Sequence, residues 1–303
     1  MTPNFARPTR PGRRNKKPPA TALVFLAVVV LAAACGSTKP TAASTPAGPK
    51  VAAAVALAAQ KSLDANSADV SLHLTLKAIG SPNVKLGVSG VEAIAPASRA
   101  SKLTMSVTAP ISENLQLSGI GTYQYIEVPP SLASLLPTGI KWISVDYQTL
   151  LGTIAASNNA PELAVGATTS PLSYIYLVAH AKLVDLSGGT QETVDGVPMT
   201  KYSATVDLRH PPSPLAADEN SAYLMNSSGV QLLIWIDSTR KIRQIELSGK
   251  IALRGASTPS PDLSITANFS NYGLEVRAVT PPRAETMPQS AATIASVLAS
   301  ALG

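Results

Sequence analysis

The stretch DVSLHLTLKA, residues 69–78, decides the fold class because its side chains alternate strictly between apolar and polar. Successive side chains of a β-strand point to opposite faces of the sheet. This pattern therefore predicts an antiparallel strand with one buried and one solvated face. The apolar positions are Val70, Leu72, Leu74, Leu76 and Ala78.

The same alternation recurs in the segments that follow, which indicates a series of neighbouring strands. Segments 80–83 and 95–97 contain Gly or Pro and predict turns between them. Further strands are predicted at 141–145, 182–193, 197–208, 229–237, 241–253, 262–270 and 273–279, with Asp195-Gly196 as a hairpin turn. The recurring apolar positions are Val84, Leu86, Val88, Leu103, Met105, Val107, Leu115 and Leu117.

Helical spacing is confined to a few segments, namely 50–65, a stretch beginning near Asp146, 171–181 and 291–302. About eleven strands and three or four helices result, and they do not alternate regularly, which argues against a parallel sheet. The predicted fold class is α+β. It consists of a single curved antiparallel half-barrel sheet with the helices packed on its concave face.

So few helices cannot cover the concave apolar face of so broad a sheet. Either the protein's own side chains or a ligand must fill the remaining space. Trp142 and Trp235 either line the mouth of such a cavity or pack ordinarily, and Tyr174, Tyr176 and Leu177 either gate it or belong to the core. The residues predicted to line the cavity are Leu72, Leu74, Leu76, Leu103, Met105, Val107, Leu115, Leu117, Tyr174 and Leu177.

The N-terminus has the three parts of an export signal, residues 1–34. Six basic residues precede an apolar run of sixteen, from Ala20 to Cys35, and small residues 32–34 precede the cysteine. As a helix, that run would span about 24 Å, which is shorter than the ~30 Å hydrocarbon core of a bilayer. A cleaved signal is therefore favoured over a permanent membrane span.

Cys35 is the chain's only cysteine, and its surroundings resemble a bacterial lipobox, although Leu31 lies one place earlier than that pattern favours. The resemblance implies that lipoprotein signal peptidase cuts before Cys35 and that its thiol carries a diacylglyceryl group. Two acyl chains hold a protein stably on a membrane, whereas one does so only marginally. The alternative is a coincidental cysteine in an ordinary signal. Residues 35–49 are then the lipidated cysteine and a disordered tether, and 50–303 the folded domain.

Charge excludes one functional class. The predicted signal holds six of the 24 basic residues and none of the 18 acidic ones, so the mature chain has no net charge. A phosphate-seeking, nucleic-acid-binding function is therefore not expected.

Three segments, GGTQETVDGVPMTKYSATVDL (188–208), LLIWIDSTRKIRQIELSG (232–249) and FSNYGLEVRAVTPP (269–282), resemble actinobacterial lipoproteins of the LppX/LprA/LprF/LprG type. The similarity extends to KWISVD (141–146) and to residues 51–109. These lipoproteins are relatives of the LolA/LolB carriers. The resemblance implies a LolA-like half-open barrel at the outer face of the cell membrane, which binds the acyl chains of lipids or glycolipids and moves them between envelope layers. A membrane transporter is an additional candidate partner.

The sequence contains no recognisable catalytic motif. His73, His180 and His210 share no motif, no G-x-S-x-G or H-E-x-x-H occurs, and one acylated cysteine cannot build a zinc site. The chain is predicted not to be an enzyme and to need no cofactor or metal. The competing hypothesis is a sensor or scaffold with a filled core that acts through surface partners.

Overall fold

The computed structural model describes residues 48–77, 84–93, 100–108, 113–121, 123–130, 133, 136–146, 171–207, 229–250 and 262–288. All of them belong to one compact unit, Ala43–Gly303. The predicted signal and Cys35, the helix predicted to begin near Asp146, and the helix at 291–302 lie almost wholly outside the described residues. No described helix is both long and apolar enough to cross a membrane.

One sheet of twelve strands dominates the described residues, as the alternation predicts. Its spatial order is β12-β6-β5-β4-β3-β2-β1-β11-β10-β9-β8-β7, and it is open and curled rather than closed. The strands are β1 (Ser67–Lys77), β2 (Val84–Ala93), β3 (Ala100–Thr108), β4 (Glu113–Ile120), β5 (Tyr123–Glu127), β6 (Trp142–Asp146), β7 (Leu183–Val194), β8 (Val197–Val206), β9 (Val230–Asp237), β10 (Ile242–Lys250), β11 (Asp262–Ser270) and β12 (Thr286–Pro288).

The sheet consists of two wings that meet in its centre. In the first wing, β1 to β6 pair antiparallel in chain order. In the second, β7 to β11 do the same. A seam between β1 and β11 joins the wings, with Leu72 opposite Ala267. The predicted α+β class and antiparallel half-barrel are confirmed.

Two α-helices within the described residues pack on one face of the sheet, which we call the inner face. α1 (Pro49–Leu63) begins with Pro at its first position, where a missing N–H costs nothing. Pro49 was predicted to end the tether but belongs to this helix. α2 (Ser173–His180) follows Pro171, which lies just before the helix rather than in its first turn. α1 contacts α2, β7 and β10, and α2 also contacts β10.

A buried serine attaches α1 to the sheet. The backbone N–H of Ile242, at the start of β10, donates to Ser62 Oγ at 2.9 Å. The Ser62 hydroxyl in turn donates to the carbonyl of Ala58 at 2.8 Å. The Tyr272 hydroxyl donates to the carbonyl of Ile242, and burial raises the pKa of Tyr272 well above its usual value. Every polar atom at this junction therefore has a partner.

The predicted turn at Asp195-Gly196 is confirmed, but the predicted strand at 273–279 is wrong. Asp195 and Gly196 both have positive φ, 51° and 78°, as a two-residue hairpin between β7 and β8 requires. Residues 271–285 after β11 instead form a return segment without ladder pairing. A 3₁₀ turn, Arg283–Glu285, ends it, and β12 then pairs parallel with β6.

The return segment crosses the strand ends on the outer face of the first wing. Gly273 N donates to the carbonyl of Ser67 at 2.9 Å, and Ser67 Oγ donates to the carbonyl of Leu274. Ser118 Oγ donates to the carbonyl of Val279 at 3.0 Å. Side chains at strand ends thus satisfy backbone groups that a ladder would otherwise satisfy, which explains why this alternating segment forms no strand.

Candidate functional site

Burial of the aliphatic side chains on the inner face decreases from the centre of the sheet towards β5, while on β6 Ile143 is half-buried and Val145 is 1 % exposed. Inner residues of the central and second-wing strands are fully buried: Leu72, Leu232 and Ile234 are each 0 % exposed. On β3 to β6, most apolar side chains of the same face are only half-buried. We call these five residues the open face: Met105, Leu115, Leu117, Ile126 and Ile143.

The register places the open face in two apolar rows that run across the strands. In one row Leu103 lies opposite Leu117, Leu117 opposite Ile126, and Ile126 opposite Ile143. The next row pairs Met105 with Leu115. Directly opposite side chains lie about 5 Å apart, so these residues form a continuous aliphatic surface.

The structure brings most of the predicted cavity residues into one cluster. Leu72, Leu74, Leu103, Tyr174 and Leu177 are buried members of the core, and Met105 and Leu117 pack against it. Leu115 lies on the same face and is half-buried. Leu76 and Val107 have inner-face positions in β1 and β3, but their side chains lie outside the described set. Ligand contact by any of the ten stays a prediction.

Ile126 and Ile143 complete the open face and were not among the predicted residues. The signal that locates them is weak, because β5 and β6 have only five residues each. In YQYIE the aromatic side chains alternate with Gln124 and Ile126, so the sequence favours the tyrosines as the buried side. In the structure Tyr123 and Tyr125 lie on the outer face, and Tyr123 is 51 % exposed.

A polar row borders the open face at one end of the strands. Glu92 lies opposite Ser101, Ser101 opposite Gly119, and Gly119 opposite Gln124. These positions have the same parity as the apolar rows, so all four point to the inner face. The inner face is therefore amphipathic along its strands, with aliphatic residues in the middle and polar groups at this end.

Both tryptophans lie on the outer face, away from the open face. Trp235 is buried, its indole N–H donates to Glu192 Oε2 at 2.9 Å, and Lys201 Nζ lies 5.0 Å from its ring centroid. The hydrogen bonds from Trp235 and Lys201 hold the pKa of Glu192 below its usual range. Trp142 pairs with Glu127 on the same outer face. The position of Trp235 favours ordinary packing over the mouth of a cavity.

A buried carboxylate fixes the hairpin between β9 and β10. Asp237 Oδ1 accepts hydrogen bonds from the backbone N–H groups of Thr239, at 2.8 Å, and Lys241, at 3.0 Å, and Arg243 Nε donates to Oδ2 at 2.6 Å. Burial by itself would raise the pKa of Asp237, but these hydrogen bonds outweigh it and lower the pKa below its usual value. This cluster is a turn-stabilising device of the fold.

His73 and His180 do not lie together, and His210 is outside the described residues. His73 is exposed on the outer face of β1, and His180 is exposed at the end of α2, stacked on Tyr176. Across the described segments, no three His, Cys, Asp or Glu residues are grouped so as to hold a metal ion. The open face with its polar border is thus the candidate site.

Comparisons with known proteins return similar folds. LprF from Mycobacterium bovis matches with a TM-score of 0.46 and 12 % identity, covering 78 % of this chain and 99 % of that one. The Mycobacterium tuberculosis lipoprotein LppX matches with a TM-score of 0.41 and 15 % identity, covering 77 % and 100 %. A putative outer membrane lipoprotein-sorting protein domain from Vibrio parahaemolyticus has a TM-score of 0.28 at 12 % identity, covering 74 % and 95 %.

No protein-family model matches the chain, and no curated protein matches it. LprF and LppX are two of the lipoproteins that the sequence resembles. The fold and site together define an open, curled antiparallel sheet with a helix-covered wing and an incompletely covered aliphatic wing.

Proposed function

We propose that this protein is a membrane-anchored lipoprotein that binds the acyl chains of a lipid or glycolipid on its inner face and carries them between layers of the cell envelope. The observation that supports this proposal is the open face. Five large aliphatic side chains occupy adjacent positions on the concave side of a well-packed sheet and are still only half-buried. Contiguous apolar surface of this kind marks a binding site in a soluble domain.

Energetics favour an acyl chain as the occupant. Each methylene buried contributes about 0.8 kcal/mol, so one long chain contributes about 10 kcal/mol before the costs of ordering and desolvation. The part of this contribution that remains after those costs keeps the lipid bound while the protein is in water. Release therefore requires a second apolar environment, which the bilayer next to the anchored protein supplies.

The anchor and tether account for the proximity of protein and bilayer. A diacylglyceryl group on Cys35 would hold the chain at the outer face of the membrane. The tether of about fourteen residues has a root-mean-square span of about 20 Å, which separates the folded domain from the head groups but keeps it within reach of them. A membrane transporter that delivers or receives the lipid is the partner that fits this arrangement.

Extraction of the purified protein tests the proposal. The mature chain, residues 35–303 with Cys35→Ser, contains the whole compact unit and lacks the anchor. Organic extraction followed by mass spectrometry is expected to recover about one lipid per protein. Recovery of no lipid, also after incubation with vesicles of the host's own lipids, would contradict carriage and favour the sensor or scaffold interpretation.

The anchor has its own test, which does not depend on lipid carriage. Inhibiting lipoprotein signal peptidase in growing cells is expected to leave a heavier precursor, because residues 1–34 then stay attached. A Cys35→Ala chain should likewise fail to incorporate labelled fatty acid. An unchanged mass under inhibition would contradict lipidation at Cys35, whatever the inner face binds.

A further inference from the structure

The polar row Glu92–Ser101–Gly119–Gln124 contains a buried donor that has no acceptor among the described residues. Gln124 Nε2 is inaccessible to solvent, and no hydrogen-bond acceptor within the described structure reaches it. A buried amide donor without a partner is costly, and native structures retain such groups where something else uses them. Gln124 lies on the inner face, one row beyond Leu117 and Ile126. A molecule bound on that face is therefore the candidate acceptor for its amide.

Glycine at position 119 creates the room in which this donor lies. A Cβ on Gly119 would lie 2.4 Å from Ser101 Oγ and 3.4 Å from Gln124 Oε1. The Ser101 hydroxyl and the Gln124 amide therefore extend over Gly119 from the two neighbouring strands. Ser101 is 8 % exposed, whereas Gln124 is half-buried and only its Nε2 atom is inaccessible to solvent.

The row ends in a carboxyl group. Glu92 lies directly opposite Ser101 on the inner face and is half-buried. A carboxylate accepts hydrogen bonds from hydroxyl groups and repels a phosphate group, whereas the Gln124 amide donates to an ester or hydroxyl oxygen. Donor, hydroxyl and acceptor in one row match a head group that carries both hydroxyl groups and oxygen acceptors and has no negative charge.

We propose that this row is a head-group subsite that selects uncharged, hydroxyl-bearing acyl lipids over anionic phospholipids with the same chains. The inference rests on the proposed function, because the acyl chains would lie on the open face next to the row. Head-group selection by the row and chain binding by the aliphatic surface are separate properties, and one experiment measures both.

The test uses vesicles that contain equal amounts of dioleoylglycerol and dioleoylphosphatidylglycerol. The mature Cys35→Ser chain is incubated with them, re-isolated and extracted, and both lipids are quantified per protein. The expected result is an enrichment of dioleoylglycerol of about tenfold, which corresponds to about 1.4 kcal/mol of selectivity. In Gln124→Leu the enrichment should fall to the vesicle ratio while total lipid per protein is unchanged.

Two further variants separate the subsite from general effects on the sheet. Gln116→Leu makes the same exchange on the exposed outer face of β4 and should retain the enrichment. Gly119→Ala fills the space between Ser101 and Gln124 and should lower the enrichment with the amide still present. Thermal unfolding should place Gln124→Leu no lower than the parent chain, because no hydrogen bond within the described structure is lost.

The outcomes distinguish the subsite from the proposed function. Equal recovery of the two lipids by the parent chain, or enrichment that survives Gln124→Leu, overturns the subsite and leaves acyl binding intact. Recovery of neither lipid overturns both. A Gln124→Leu chain that is more stable and equally selective would show the amide to be a structural defect rather than a recognition group.

Discussion

Replacing Leu117 with Glu is expected to reduce the lipid recovered from the mature chain about tenfold or more. Leu117 lies in the middle of the open face, between Leu103 and Ile126. A carboxylate at this position would have to lose its hydration when an acyl chain covers it, and desolvating a charge costs several kcal/mol. One-tenth of the affinity corresponds to only about 1.4 kcal/mol, so the substitution should abolish stoichiometric binding.

The matched control is Gln116→Glu, which introduces the same carboxylate one residue away. Gln116 is exposed on the outer face of β4, so its substitution should leave lipid recovery unchanged. Leu117→Met keeps an apolar side chain of similar volume and should also bind. Equal loss of lipid in Leu117→Glu and Gln116→Glu, with both chains folded, would contradict an inner-face site.

Asp237→Ala is expected to be the most destabilising single change among the polar residues described. The substitution removes the acceptor for Thr239 N, Lys241 N and Arg243 Nε at once. Removing one partner of a buried charged network typically lowers the free energy of unfolding by about 3 kcal/mol, because the remaining groups stay buried without a hydrogen-bond partner. Urea unfolding should show this as a lower midpoint. Asp262→Ala, on an exposed residue that begins β11, should change stability by less than about 0.5 kcal/mol.

Acid should remove the same stabilisation in the unmodified chain. Because the pKa of Asp237 is lower in the folded than in the unfolded protein, its contribution is complete above the unfolded value of about 3.9 and is lost as pH falls through the folded value. The stability difference between the parent chain and Asp237→Asn should therefore shrink as pH falls below about 4. A difference that stays constant down to pH 2 would show that the carboxylate's charge contributes nothing.

The positions of the strands were largely predictable because most long strands have one buried face and one solvent-exposed face. This condition holds in β1, β2, β10 and β11, where alternation and burial agree, but not in β9, whose outer-face residues Trp235 and Asp237 are also buried. It fails for the return segment, whose apolar positions alternate but whose backbone is satisfied by Ser67 and Ser118. It also fails for β12, because its three residues, one of them proline, are too few to show an alternating pattern. This strand forms by pairing with the edge strand β6.

The candidate site was predictable in outline but not in its polar part. Alternation alone identifies Met105, Leu115 and Leu117 as inward-facing residues. It cannot identify Gln124 as an inner-face residue, because in YQYI the larger apolar surface belongs to the tyrosines, and the register with β4 overrides that preference. Nor can it distinguish fully buried Leu72 from half-buried Leu117, because coverage depends on where the two helices pack.

The seam between the two wings has a consequence for how the chain reaches its native state. Within each wing, pairing joins strands that are neighbours in the chain, so these hairpins close small loops and form quickly. The seam instead joins strands near opposite ends of the described chain, as the pairing of Leu72 with Ala267 illustrates. Docking of the two preformed wings along β1 and β11 is therefore expected to be the slow step of folding. Most of the loss of chain entropy would accompany the formation of this one ladder.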